Sequence, residues 1–239
     1  MKPVSHFWAG VRAELPLLIS VFPFGLIYGS LALNAGISIA AAQGMSAIVF
    51  AGSSQFAAAQ LIHDAAPGLV IVLAIAVINL RHLLYSASLA PHLRDLPMRW
   101  KLLFSYLMTD EAYAVAVLNY ERIGGGTAGH WYFFGAGISL WATWQVSTAL
   151  GLGLGAALPT DWPLDFALPL TFIAMVVPVL KDRPAWAAAL SAGLVALLAN
   201  SLPYKLGLIL AALAGIAVGM ILETHKERNA ISLYEQEEA

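Results

Sequence analysis

Three polar clusters lie inside apolar stretches of this chain, and each brings groups that could hold a charged solute. The first is Phe50-Ala51-Gly52-Ser53-Ser54-Gln55-Phe56, in the middle of the apolar run 39–62. Two Ser and a Gln behind a Gly cannot face hydrocarbon, which satisfies none of their donors or acceptors. A helix broken at this point would turn free backbone N–H groups and the positive end of its dipole toward an anion such as a carboxylate. The second cluster is Asn79-Leu80-Arg81-His82-Leu83-Leu84-Tyr85. Arg81 stays charged at any accessible pH, and at mid-segment it costs at least ~2.5–3.5 kcal/mol unless compensated. It suits either a substrate carboxylate or a permanent internal ion pair. The third, Thr109-Asp110-Glu111, supplies the opposite charge. One acid can pair with Arg81, while the other is free to bind an ammonium or to carry a proton.

Each cluster also has a plainer reading. The Gly-Ser-Ser stretch can be a packing kink with its hydroxyls bonded to their own helix. Arg81 and one acid can be a purely structural pair, with the second acid reaching a polar crevice. His82 suits a hydrogen-bonded packing role better than proton transfer. Spacing puts Asn79, His82 and Ser86 on one helical face, with Arg81 and Tyr85 on its flanks. We take Gly52, Ser53, Ser54, Gln55, Asn79, Arg81, Phe50 and Phe56 as substrate-binding candidates. Asp110, Glu111 and His82 are candidates for proton coupling or ion pairing.

These clusters must be positioned by membrane helices. The chain has 239 residues, of which 60% are hydrophobic and 11% charged. Soluble domains carry about 25% charged residues. A net charge of −2 gives no case for nucleic acid. The absence of Cys excludes thiol nucleophiles, disulfides and thiolate metal sites. No cofactor or metal is implied. The expected fold is an all-α polytopic membrane protein, with a single transporter domain over residues 1–239. Apolar segments run at 14–35, 39–62, 67–90, 100–120, 130–157, 166–180, 185–202 and 204–222, followed by a polar tail at 223–239. The second is interrupted by its polar stretch, and the sixth is short and contains Pro169 and Pro178.

The positive-inside rule favours treating segments two and six as broken or re-entrant, because only Arg122 and Lys205 then fall outside. Both termini are placed in the cytoplasm. Each half, 14–120 and 130–222, then holds three crossings and one hairpin, so the second half is an inverted repeat of the first. Gly124-Gly125-Gly126-Thr127 is the hinge between them. Glycine spacings at Gly25/Gly29, Gly151/Gly153/Gly155 and Gly215/Gly219 indicate close helix packing. Trp141 and Trp144 lie deep enough to wall a cavity.

Phe22-Pro23-Phe24-Gly25-Leu26-Ile27-Tyr28-Gly29, the three clusters above, Leu168-Pro169-Leu170-Thr171-Phe172 and Lys181-Asp182-Arg183-Pro184 together resemble the AzlC family over nearly the whole chain. The resemblance implies a bacterial inner-membrane permease subunit that exports branched-chain amino acids, with methionine a further candidate. It also implies a small, separately encoded AzlD-like membrane partner. A zwitterion needs a carboxylate site, an ammonium site and an apolar pocket. Gly52-Ser53-Ser54 with Arg81, Asp110 or Glu111, and Phe50 with Phe56 answer to these. Two other classes remain open: an intramembrane enzyme using His82, Asp110 and Glu111, and a non-transporting subunit whose polar residues dock a partner helix. The first lacks a His-Glu-x-x-His or Gly-x-Ser-x-Gly pattern. The second fits poorly with polar residues clustered in facing segments.

Overall fold

The computed structural model describes residues 3–123, 129–155, 180, 182–202 and 206–237. All regular structure among them is helical. The chain divides into two compact units, Met1–Trp162 and Pro163–Ala239. In the first lie α1 (Pro3–Asn34), α2 (Ile39–Val49), α3 (Gly52–His63), α4 (Gly68–Asn79), α5 (Arg81–Leu93), α6 (Met98–Leu107), α7 (Asp110–Ile123) and α8 (Gly129–Leu154). The second contains α9 (Arg183–Leu198) and α10 (Leu206–Glu237), packed together. Here α9 is capped by Asp182, whose side chain accepts from the Ala185 N–H. Gly215 lies close against Ala188 and Ala192 of α9. The helix α10 continues to Glu237, well past the predicted end of the apolar segment at 222. The sixth segment (166–180, apart from Leu180) and the Gly124–Thr127 hinge fall outside the described residues.

Two stretches of the first unit are long and apolar enough to cross a membrane: Pro3–Asn34 and Gly68–Leu93, the latter being α4 and α5 joined at Leu80. The frame of the unit is the seam between α1 and α8. Glycines let the two backbones touch. A Cβ on Gly29 would come within 2.6 Å of the Leu152 nitrogen and 2.7 Å of the Gly151 carbon and Thr148 oxygen. Gly10 abuts the Tyr132 carbonyl, Gly135 the Phe7 carbonyl, Gly151 the Leu26 carbonyl and Gly155 the Leu33 side chain. Partner numbers rise together along both helices, so α1 and α8 run parallel. The corresponding first crossings of inverted halves would run in opposite senses, so the inversion is not found between α1 and α8.

Against this frame sit two hairpins. The second segment is broken as expected: Phe50 ends α2 in the left-handed region (φ 43°, ψ 47°) and Ala51 is extended before α3. Its two arms lie side by side. Tyr28 of α1 donates to the Ala42 carbonyl of α2 at 3.1 Å, and its ring meets that of Phe56 on α3. On α8, Gln145 grips α2 through Gln43 (2.8 Å) and the Ser46 carbonyl (3.1 Å), while neighbouring Trp144 grips α3.

The fourth segment, expected as one continuous crossing, is broken as well. Met108 is extended, and α7 restarts with Thr109 as its cap, the hydroxyl accepting from the Ala112 N–H at 3.3 Å. Along α6, Trp100 packs on Trp131, Phe104 stacks on Phe133 and Leu107 lies against Gly137. Tyr120 of α7 then returns to Gly129, at the start of α8. The break has a local cause. Asp110 and Glu111 are poor residues for a helix interior at this depth, but favourable in a first turn, where the dipole welcomes negative charge.

The α1–α8 seam yields a stability prediction. Gly29→Val drives a branched side chain into the α8 backbone and is expected to cost about 1–3 kcal/mol. Gly44→Ala, where a Cβ meets nothing within 4 Å, is neutral or slightly stabilising. Thermal unfolding of the two variants in detergent measures the difference.

Candidate functional site

The tips of the two hairpins meet. The Tyr106 hydroxyl near the tip of the second hairpin donates to the Ala47 carbonyl near the tip of the first, and the Phe50 and Tyr106 rings lie 6.0 Å apart. The Trp141 indole N–H in turn donates to the Tyr106 hydroxyl at 2.6 Å, fixing the junction to α8.

Arg81, the first residue of α5, bridges both tips. One terminal nitrogen donates to Asp110 Oδ2 at the start of α7, and the other to Ser53 Oγ at the start of α3, each at 2.5 Å. Asp110 Oδ1 accepts from the Tyr85 hydroxyl at 2.6 Å. Two residues back along the chain from Arg81, Asn79 Oδ1 accepts from Ser54 Oγ at 2.6 Å. The pair is partly open to solvent, with 26% of the Arg81 side chain and 18% of Asp110 exposed. The starts of three helices thus converge. The first N–H groups of α3 and α7 have no acceptor within their helices, and Asp110 offsets the dipole of α7.

Two further donors at the site have no partner. Gln55 is 0% exposed; its carbonyl oxygen accepts from the Trp144 indole N–H at 3.0 Å, but its Nε2 donates to nothing. Arg81 Nε is likewise buried and unpaired. A buried donor left unmade costs about 1–3 kcal/mol; the one at Arg81 belongs to the guanidinium itself and suits an anion, while Gln55 turns the other way, to Trp144 and Tyr28.

The sequence-derived candidates therefore divide. Ser53, Ser54, Asn79, Arg81 and Asp110 are joined by direct bonds, with Gly52 and Gln55 beside them. Gly52 allows close approach, since a Cβ there would sit 3.1 Å from the Trp144 ring. Phe56 turns toward α1, edge-on to both Phe24 and Tyr28, and Phe50 packs on Tyr106. On α5, Tyr85 reaches Asp110, and His82, with its Nε2 buried, lies next to Arg81. His82 makes an edge contact with Tyr85 and lies within electrostatic reach of Arg81 and Asp110, and its Nε2 has no hydrogen-bond partner. Trp144 and Trp141 each hold a hairpin, through Gln55 and Tyr106. Tyr85 and Trp144 are contributors that sequence reasoning did not select. Glu14 was also passed over: it is fully buried in α1, yet stood at the assigned edge of segment one.

The ion pair leads to a stability prediction. Arg81→Gln leaves Asp110 with Tyr85 alone, at a cost of about 1–3 kcal/mol, below that of breaking a fully buried pair because this one is part-exposed. Combining it with Asp110→Asn removes both charges, so the double variant loses less than the sum of the single ones. A thermal-unfolding cycle over the four proteins reads this coupling.

Comparison with known proteins agrees with the resemblance in the sequence. The AzlC family model, described as AzlC protein, matches residues 16–158. An uncharacterized membrane protein of Archaeoglobus fulgidus is 31% identical, over 88% of this chain and 93% of that protein. Inner membrane protein YgaZ of Escherichia coli is 27% identical, over 91% and 89%. The branched-chain amino acid transport protein AzlC of Bacillus subtilis is 26% identical, over 81% and 78%. No solved structure matches.

Proposed function

The chain belongs to the AzlC family of membrane transport proteins, and on that premise we propose that it is the large subunit of a secondary transporter that exports branched-chain amino acids across the bacterial inner membrane. Methionine is a further candidate substrate, protons are the coupling ion, and a small AzlD-like membrane subunit is the partner. The name of the Bacillus subtilis relative supports the substrate class. The observation that carries the reading is Arg81 held between two helix starts, with an unpaired donor at its own Nε.

The chemistry follows from the ion pair. A zwitterion can insert across Arg81 and Asp110, giving its carboxylate to the guanidinium and its ammonium to the aspartate. Each charge exchanges one partner for another, so no isolated charge is left in low dielectric. Free N–H groups at the start of α3 and the Ser53 hydroxyl add donors on the carboxylate side. Tyr85 keeps Asp110 oriented toward the ammonium. Aliphatic side chains around the tips, together with the Phe50 ring, would receive the substrate side chain, while Phe56 supports the α3 arm from behind.

In the membrane, we assign α1, α4–α5 and α8 as crossings, with α2–α3 and α6–α7 entering from opposite faces as re-entrant hairpins. In this arrangement inversion relates 3–63 to 68–123, a shorter period than 14–120 against 130–222. Charge supports the orientation. Arg94, Arg99 and Lys101 lie between α5 and α6 or in the first turn of α6, and Arg122 ends α7, all at the end where α1 begins. Residues 35–67, at the other end, contain no Lys or Arg. The N-terminal end is therefore cytoplasmic. The tail with Lys226 and Arg228 is assigned to the same side.

The test is leucine counterflow in liposomes containing the chain, with and without its small partner. Arg81→Gln and Asp110→Asn should each slow it at least ~10-fold, equivalent to about 1.4 kcal/mol. Leucine methyl ester and N-acetyl-leucine, each lacking one of the two charges, should fail to compete. Normal counterflow in both variants would remove the assignment.

A further inference from the structure

Glu14 lies in the α1–α8 seam, one turn beyond Gly10, where the two backbones touch. It is 0% exposed, and neither of its carboxylate oxygens has a hydrogen-bond partner. Packing does not explain it, since Gln or Leu would fill the space without a charge. An ionised carboxylate with no donor and no counter-ion is among the costliest groups to bury. The smallest ligand that satisfies it, without water or a neighbouring side chain, is a proton.

Among the described residues, the side chains facing it offer no cation in its place. From α7, which packs against α1, the charged group acting on Glu14 is Glu111, itself part-buried. From α8 the interacting titratable group is Tyr132, which also lies in reach of Arg122. The helix α2 has no titratable side chain, and α3 has only His63, at its far end. On α1 itself, Arg12 is exposed. Asp110 adjoins Glu111 in the chain, but is committed to Arg81 and Tyr85.

We propose that the buried carboxylate of Glu14, with Glu111 of α7 as its acidic neighbour, binds a transported proton, a site separate from the Arg81–Asp110 pair. The proposal rests on the proton-coupled reading above and gives it a location. Its geometry also links the two events. Asp110 and Glu111 are consecutive residues at the start of α7, so substrate on the first and a proton beside the second act on the same helix end. In the step itself a proton adds to one carboxylate oxygen of Glu14 on one side of the membrane and leaves it on the other, and no other bond is made or broken.

Infrared spectroscopy of the purified full chain tests the site independently of transport. At neutral pH the wild-type protein should show the carbonyl stretch of a neutral carboxylic acid, shifted in Glu14→Asp and lost in Glu14→Gln. In proteoliposomes, the acceleration of leucine efflux by a pH gradient should vanish in Glu14→Gln. A wild-type spectrum without that band overturns the proposal whether or not any variant folds, as does a band undiminished in Glu14→Gln. If wild-type efflux ignores the gradient while the band behaves as expected, the coupled-transport reading fails and the proton-binding assignment stands.

Discussion

A guanidinium cannot shed its charge, and the first unit is arranged around that fact. Arg81 stands at the junction of α4 and α5, in a stretch otherwise apolar enough to cross a membrane. Neutralising it requires an acid at the same depth, and holding its second terminal nitrogen requires a hydroxyl. Both come from interrupted helices, Asp110 from the start of α7 and Ser53 from the start of α3. A continuous helix in either place would bury its N–H groups in its own ladder and leave Arg81 with fewer partners. The two breaks and the one cation therefore depend on each other.

Around this centre the polar residues form a chain of supports reaching α8. Trp144 holds Gln55, Gln145 holds Gln43 and the Ser46 carbonyl, and Trp141 holds Tyr106. Tyr28 stacks on Trp144 while its hydroxyl reaches Ala42. Aromatic residues with a polar handle suit this place, since each contributes apolar area to the bundle and one directed bond to a hairpin.

Much of this was legible in the residues. Gly52-Ser53-Ser54-Gln55 inside an apolar run announces a break, because polar groups at that depth need partners that lipid lacks. Arg81 and an acid from the fourth segment announce a pair. Thr109-Asp110-Glu111 was harder to read. As a cap followed by two acids it is a helix-start signal, yet inside an apolar stretch it reads equally well as acids on a continuous helix. Glu14 escaped notice because Lys2, His6 and Arg12 precede it, so it looks like the solvated edge of a segment. The parallel course of α1 and α8 had no local signal at all, being decided by which glycines meet across a long sequence separation.

The glycine seam also carries a mechanical meaning. Where Gly10, Gly29, Gly135 and Gly151 bring backbone against backbone, no rotamer change can create slack, so α1 and α8 behave as a single stiff beam. Both hairpins are held to that beam by side chains, through aromatic packing and hydrogen bonds worth about 0.5–1.5 kcal/mol net each, with no comparable backbone contact among the described residues. Any motion that opens the centre to one face or the other is thus channelled into the hairpins, with the beam as the fixed reference against which they swing.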